Sequence, residues 1–198
     1  MKSLKIFVWL FFFWQLPAQH SGDKFRFVSI MEDLPKVGVY SINQDDYGFV
    51  WLGTNGSGLY RYDGLEYKSY RHRFNDSTSL SSMVFTTYLD SKHRLWVGTE
   101  QGLNLYDRNT DLFQRIPNKN FGDGSAISLS IRSIIDDNHG NLFIGTFGRG
   151  LFKMDVQSRK AISIKTRHID LSIPLSVHVL KIDKDGGMYA ATNHGILL

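Results

Sequence analysis

The sequence predicts an all-β fold, a β-propeller of four-stranded antiparallel blades, with about four blades present in an incomplete ring. The first observation is a repeat. "GFVWLGTNGSGLYRYD" at 48–63 returns as "HRLWVGTEQGLNLYD" at 93–107, as "GNLFIGTFGRGLFKMD" at 140–155 and as "GGMYAATNHGILL" at 186–198. The residues ahead of the repeated threonines, Gly53, Gly98, Gly145 and Ala191, lie 45, 47 and 46 positions apart, a period of solenoids, propellers or arrays. The second observation is the content of each unit: short stretches of period-two apolar alternation, separated by turns of Gly, Asn and Asp, as antiparallel strands require. The third is that the 3.6-residue spacing of helical repeats is lacking.

Taken in chain order, residues 1–18 read as a signal peptide. Lys2 and Lys5 precede an apolar run from Ile6 to Trp14, and Ala18 follows as the small residue at the cleavage point. The run is too short for a membrane span of about 20 residues. Its removal takes two lysines and no acid, leaving 21 basic against 19 acidic side chains. The charge is therefore close to balanced, and no basic cluster marks a nucleic-acid face. Cysteine is absent from the chain, which excludes disulfides, thiolate metal sites and thiol catalysis. Residues 19–198 form the partial propeller. "KFRFVSI" at 24–30 resembles an orphan outer strand, of the kind that closes a ring by completing its last blade.

Blade 1 spans 37–71, blade 2 82–116, blade 3 129–165 and the incomplete blade 4 175–198. Each opens on an alternating strand such as "VYSINQD", with Val39, Ser41 and Asn43 on one face and Tyr40 and Ile42 on the other. An Asp follows (Asp45, Asp90, Asp137, Asp183), then a turn centred on Gly48, His93, Gly140 or Gly186. The second strand carries an aromatic residue (Trp51, Trp96, Phe143, Tyr189) and ends on Thr54, Thr99, Thr146 or Thr192. A turn then leads through Gly58, Gly102, Gly150 or Gly195 into the third strand. "EYKSY", "LFQRI" and "AISIK" supply fourth strands. Residue 198 falls inside the third strand of unit four.

The unit D-x-x-G-x-x-W-x-G-T-x-x-G-L-x-x-Y-D resembles the two-component regulator propeller repeat. Unit one matches closely, at Asp45, Gly48, Trp51, Gly53, Thr54, Gly58, Leu59, Tyr62 and Asp63. His93 departs from it in unit two, Phe143 and Met154 in unit three, and Tyr189 and Ala191 in unit four. The resemblance implies the periplasmic sensor region of a hybrid two-component histidine kinase. Fuller members carry two seven-bladed propellers, an immunoglobulin-like domain, one membrane span and then kinase, receiver and DNA-binding domains. Many sense breakdown products of complex polysaccharides. The expectation is thus a non-catalytic periplasmic sensing module for an oligosaccharide or other small periplasmic ligand. It would be tethered to the inner membrane through segments beyond this sequence and could dimerise in the full sensor. The alternatives are a glycan-processing propeller enzyme of the Asp-box type, suggested by "DYGFVW", and a truncated product without independent function.

The chemistry of the repeat favours scaffold over catalysis. A catalytic constellation is asymmetric, whereas the Asp and the aromatic recur in every unit. The four aspartates are expected to hold turn N–H groups, and the four aromatics to fill the space between blades. Gly53 and Gly58 have the spacing that opens a P-loop, but Leu59 and Tyr60 stand where Lys and Ser or Thr must follow. There is no G-x-S-x-G, and the seven histidines are scattered, so neither metal nor cofactor is expected. What differs between units is the turn after each Thr: Asn55 and Ser57, Glu100 and Gln101, Phe147 and Arg149, Asn193 and His194. Variable turns on a fixed scaffold are where recognition residues are sought. This mixture suits a hydroxyl-rich ligand, with an aromatic for a sugar face and polar groups for its hydroxyls.

Overall fold

The computed structural model describes residues 36–76, 78–122, 129–165 and 173–197. The signal segment 1–18 and the strand expected at 24–30 lie outside these residues. Blade 1 comprises β1 (Val39–Gln44), β2 (Val50–Thr54), β3 (Leu59–Tyr62) and β4 (Tyr67–Tyr70). Blade 2 comprises β5 (Val84–Leu89), β6 (Leu95–Thr99), β7 (Gly102–Asp107) and β8 (Leu112–Arg115). Blade 3 comprises β9 (Ile131–Asp136), β10 (Asn141–Thr146), β11 (Leu151–Asp155) and β12 (Ala161–Ile164). Blade 4 holds β13 (Val177–Ile182), β14 (Met188–Thr192) and β15 (Gly195–Leu197). Every blade is an antiparallel meander in chain order. The first strands of successive blades lie against one another: β1 on β5, β5 on β9 and β9 on β13.

The turn between first and second strands shows why the Asp recurs. Asp45 Oδ1 accepts the backbone N–H groups of Tyr47 and Phe49 at 3.0 and 3.1 Å. Asp90 does the same for Lys92 and Arg94, Asp137 for His139 and Asn141, and Asp183 for Asp185 and Gly187. Closing so tight a turn puts the third residue after each Asp at positive φ: +83° at Gly48, +61° at His93, +98° at Gly140 and +86° at Gly186. Glycine adopts that conformation without steric cost, while His93 is held in it against its Cβ.

Three hydrophobic clusters hold the blades, one at each junction. Trp51 and Leu59 pack with Val84, Leu95, Val97, Tyr106 and Phe113 between blades 1 and 2. Trp96 and Leu103 meet Ile131, Ile134, Leu142 and Ile144 between blades 2 and 3. Leu151 and Phe143 meet Val177, Leu180 and Ala190 between blades 3 and 4. Trp51 and Trp96 are both 0% exposed. Burying roughly 200 Å² of indole contributes about 5 kcal/mol at about 25 cal/mol/Å², several times one net hydrogen bond at about 1 kcal/mol. Packing therefore dominates each junction, and hydrogen bonds orient it.

The junctions need a residue without a side chain. A Cβ on Gly53 would sit 2.8 Å from Val84 Cγ1, on Gly98 2.7 Å from Ile131 Cγ2, and on Gly145 2.7 Å from Val177 Cγ1. The fourth unit carries Ala191 at this position, and there the residue is exposed. At the other end Val39 is 44% exposed, while its counterparts Val84, Ile131 and Val177 are 0% exposed. Among the described residues, the outward faces of blades 1 and 4 are thus uncovered.

The first strands depart from simple alternation. Val39 pairs Thr54 and Ser41 pairs Gly53, so Tyr40 has no cross-strand partner. The same bulge isolates Phe85 in β5, Arg132 in β9 and His178 in β13. The even placement of Val39, Ser41 and Asn43 on one face is therefore interrupted at Tyr40. A bulge opposes two residues to one and re-aims the extra side chain.

Candidate functional site

The hairpin turns between second and third strands are built on the repeated threonine. Thr54 Oγ1 donates to the carbonyl of Gly58 at 2.7 Å, and the same bond joins Thr99 to Gly102, Thr146 to Gly150 and Thr192 to Gly195. The hydroxyl oxygen also accepts the N–H of Ser57, Gln101 or His194. These turns lie beside the start of the first strands. Asn55 N–H donates to Gly38, Glu100 to Met83, Phe147 to Ser130 and Asn193 to Ser176. The variable turns and the bulged residues of the first strands therefore share one end of the blades.

The eight variable residues are not equivalent there. Asn193 spends both ends of its amide on the chain, accepting from Ser176 N–H at 2.8 Å and donating to the Pro174 carbonyl at 3.0 Å. A ring nitrogen of His194 lies 3.2 Å from the carbonyl of Ile173. Glu100 accepts from the Ser81 hydroxyl at 2.6 Å. Asn55 is exposed, and Ser57, Gln101 and Arg149 are half-buried. Phe147 is 55% exposed, and its ring centroid lies 5.2 Å from the guanidinium carbon of Arg132.

Arg132 leads into a second group. A cavity of about 350 Å³ is lined by Tyr40 and Ser41, Phe85 and Thr86, Arg132 and Ser133, and His178 and Val179, one pair from each first strand. Arg132 lies 3.7 Å over the Phe85 ring, and the Tyr40 and Phe85 rings are 5.5 Å apart. Burial lowers the pKa of Arg132 from its ordinary value, although an arginine remains charged. Among the described residues no group of three or more His, Asp or Glu side chains is placed to hold a metal ion, and no helix is long and apolar enough to cross a membrane.

Asp45 and Asp90, with Trp51 and Trp96, are buried elsewhere, at the junctions. Asp45 Oδ2 accepts the indole N–H of Trp51 at 2.8 Å and the Arg108 guanidinium at 2.8 Å. Asp90 Oδ2 accepts the indole N–H of Trp96 at 2.8 Å and Arg94 at 2.7 Å. Burial would raise the pKa of Asp45, but its bonds from Trp51 and Arg108 outweigh that and hold it below the ordinary value. Both of these carboxylates are consumed by their own turn, an indole and an arginine. Phe143 packs at the junction of blades 3 and 4, and Tyr189, on the uncovered face of blade 4, is 40% exposed.

Residues 33–56, which contain the first of these Asp turns and its Trp strand, match the family model described as two component regulator propeller. That stretch thus matches one copy of the repeat the family model describes. This propeller is similar to histidine kinase P4 of Formosa agariphila, with 30% identity over 212 residues, covering all of this chain and 15% of that protein. In fold it is similar to the extracellular domain of the hybrid two-component system BT4673 from B. thetaiotaomicron. That match has a TM-score of 0.65 and 23% identity, over 78% of this chain and 22% of that one. The extracellular domain of BT3049 from the same organism matches with a TM-score of 0.55 and 19% identity, over 80% of this chain and 28% of that one. The propeller thus spans about a seventh of the curated relative and about a quarter of these structures.

The cavity residues of the propeller did not stand out from the sequence as a set. For Tyr40, Phe85, Arg132 and His178 a signal was present: each follows the repeated Val39, Val84, Ile131 or Val177, and all four differ in kind. What alternation alone does not give is the bulge that exempts them from pairing.

Proposed function

We propose that this propeller is a ligand-sensing segment of a two-component signalling protein, exported to the periplasm, where it recognises an oligosaccharide without chemical turnover. The observation that carries the reading is the division of labour within each repeat. The recurring Asp, Trp, Gly and Thr residues bond and pack to the scaffold, while the residues that differ gather at one end of the blades, where the four first strands meet a cavity. A rigid framework presenting diverse polar and aromatic groups is a recognition surface. The similarity to extracellular domains of two-component systems supports both the sensing role and the location. The test is calorimetric titration of the full chain with a panel of oligosaccharides, with product analysis of each mixture. Saturable binding with intact ligand is expected, and cleavage of any bound sugar would overturn the reading in favour of a glycan-processing enzyme.

A further inference from the structure

We propose that the bulged residues Tyr40, Phe85, Arg132 and His178, joined by Phe147, form the ligand site proper, and that it takes an acidic sugar, a pyranose bearing a carboxylate. This rests on the oligosaccharide reading above and narrows it to one site and one chemical class. All four first strands carry the bulge at the same register position, and each bulge frees one side chain from the ladder. The freed side chains line one open depression of about 350 Å³, large enough for a sugar ring or two.

Their chemistry is specific. Tyr40, Phe85 and Phe147 offer ring faces, which suit the apolar face of a pyranose. Arg132 lies 3.7 Å over the Phe85 ring and 5.2 Å from the Phe147 ring centroid, near enough for both rings to attract its cation. Its Nε is buried and has no hydrogen-bond partner among the described residues. No carboxylate among them pairs with it either, although Arg61, Arg94 and Arg108 all have such a partner. A guanidinium with no acidic partner is an unanswered charge, and a ligand carboxylate at this site would supply charge-assisted hydrogen bonds to it. His178 is exposed at the same cavity, and its ring nitrogens can donate to or accept from a hydroxyl. Neutral sugars would use the rings but leave the Arg132 donor unanswered.

The experiment titrates the full chain with trigalacturonate and with neutral α-1,4-galactotriose, using the native protein and the variants Arg132→Gln and His178→Ala. The native chain is expected to bind trigalacturonate at least tenfold more tightly than galactotriose. Arg132→Gln should erase that preference, and His178→Ala should weaken both sugars severalfold. His178 is exposed, so the second variant carries the test even if Arg132→Gln fails to fold. Equal binding of the two sugars, or variants that bind trigalacturonate like the native chain, would overturn this site while leaving the oligosaccharide reading standing. Failure of both sugars to bind the native chain would overturn the two together.

Discussion

Replacing Gly145 by Ala places a methyl group in the junction of blades 3 and 4. The added Cβ would lie 2.7 Å from Val177 Cγ1, 3.0 Å from its Cβ and 3.2 Å from its carbonyl oxygen. All three close neighbours belong to one residue that is itself 0% exposed, so the strain has a single source. Gly145 has no positive φ, and the cost is steric rather than conformational. Overpacking of this kind costs about 1–3 kcal/mol. Val177→Ala alone removes the buried equivalent of two methylenes, about 1.6 kcal/mol before any cavity cost. In the double variant the new methyl occupies space that Val177 vacates. The pair should therefore be less destabilised than the sum of the singles by about 1 kcal/mol or more, as residues in contact are. Urea denaturation followed by far-UV circular dichroism measures all four corners of the cycle, provided the m-value is constant. Additivity within about 0.3 kcal/mol would refute the claim that the glycine is there for the valine.

Two further changes test the polar side of the junctions. Asp111, in the β7–β8 turn of blade 2, accepts from Tyr70 and Tyr106 at 2.6 Å each and from Lys68 and Arg61. Burial would raise its pKa, but the bonds from Lys68, Tyr106 and Tyr70 prevail and hold it at about 2 against an ordinary 3.8. A depressed carboxylate stabilises the fold above its unfolded pKa, and the contribution disappears as pH falls through the folded value. Asp111→Asn should thus cost about 2 kcal/mol at neutral pH and flatten the stability profile between about pH 4 and 2, which denaturation at several pH values checks. Asp45→Asn leaves Arg108 facing an amide at a fully buried position and should cost about 3 kcal/mol. A loss below about 1 kcal/mol in the same assay would show that the Arg108 pair contributes little.

Much of the fold could be read because its repeated residues each answer a backbone demand that recurs in every blade. The Asp closes a turn through two N–H bonds, and the residue three positions on must accept positive φ. The Thr fastens a hairpin and Gly53, Gly98 and Gly145 admit the next blade. Identical demands leave identical residues at constant spacing. The bond from Asp45 to the indole of Trp51 was less visible, since a turn explains the aspartate without it. The cavity was not visible at all. Val39, Ser41 and Asn43 alternate as in a straight strand, and only the observed pairing shows that Tyr40 is an extra residue. The variable turn residues were easy to find because they differ, but difference does not reveal that Asn193 and Glu100 are already bonded to neighbouring chain.

The two indoles held by carboxylates have a practical consequence. Trp51 and Trp96 are the tryptophans among the described residues, and each stands at a different blade junction. Indole emission shifts to the red when water reaches the ring, so the first two junctions each carry a native optical probe. With Trp9 and Trp14 also replaced by Phe, Trp51→Phe and Trp96→Phe variants would follow the two junctions separately. Coincident transitions would mean that the blades melt as one body, whereas staggered ones would show the chain opening blade by blade.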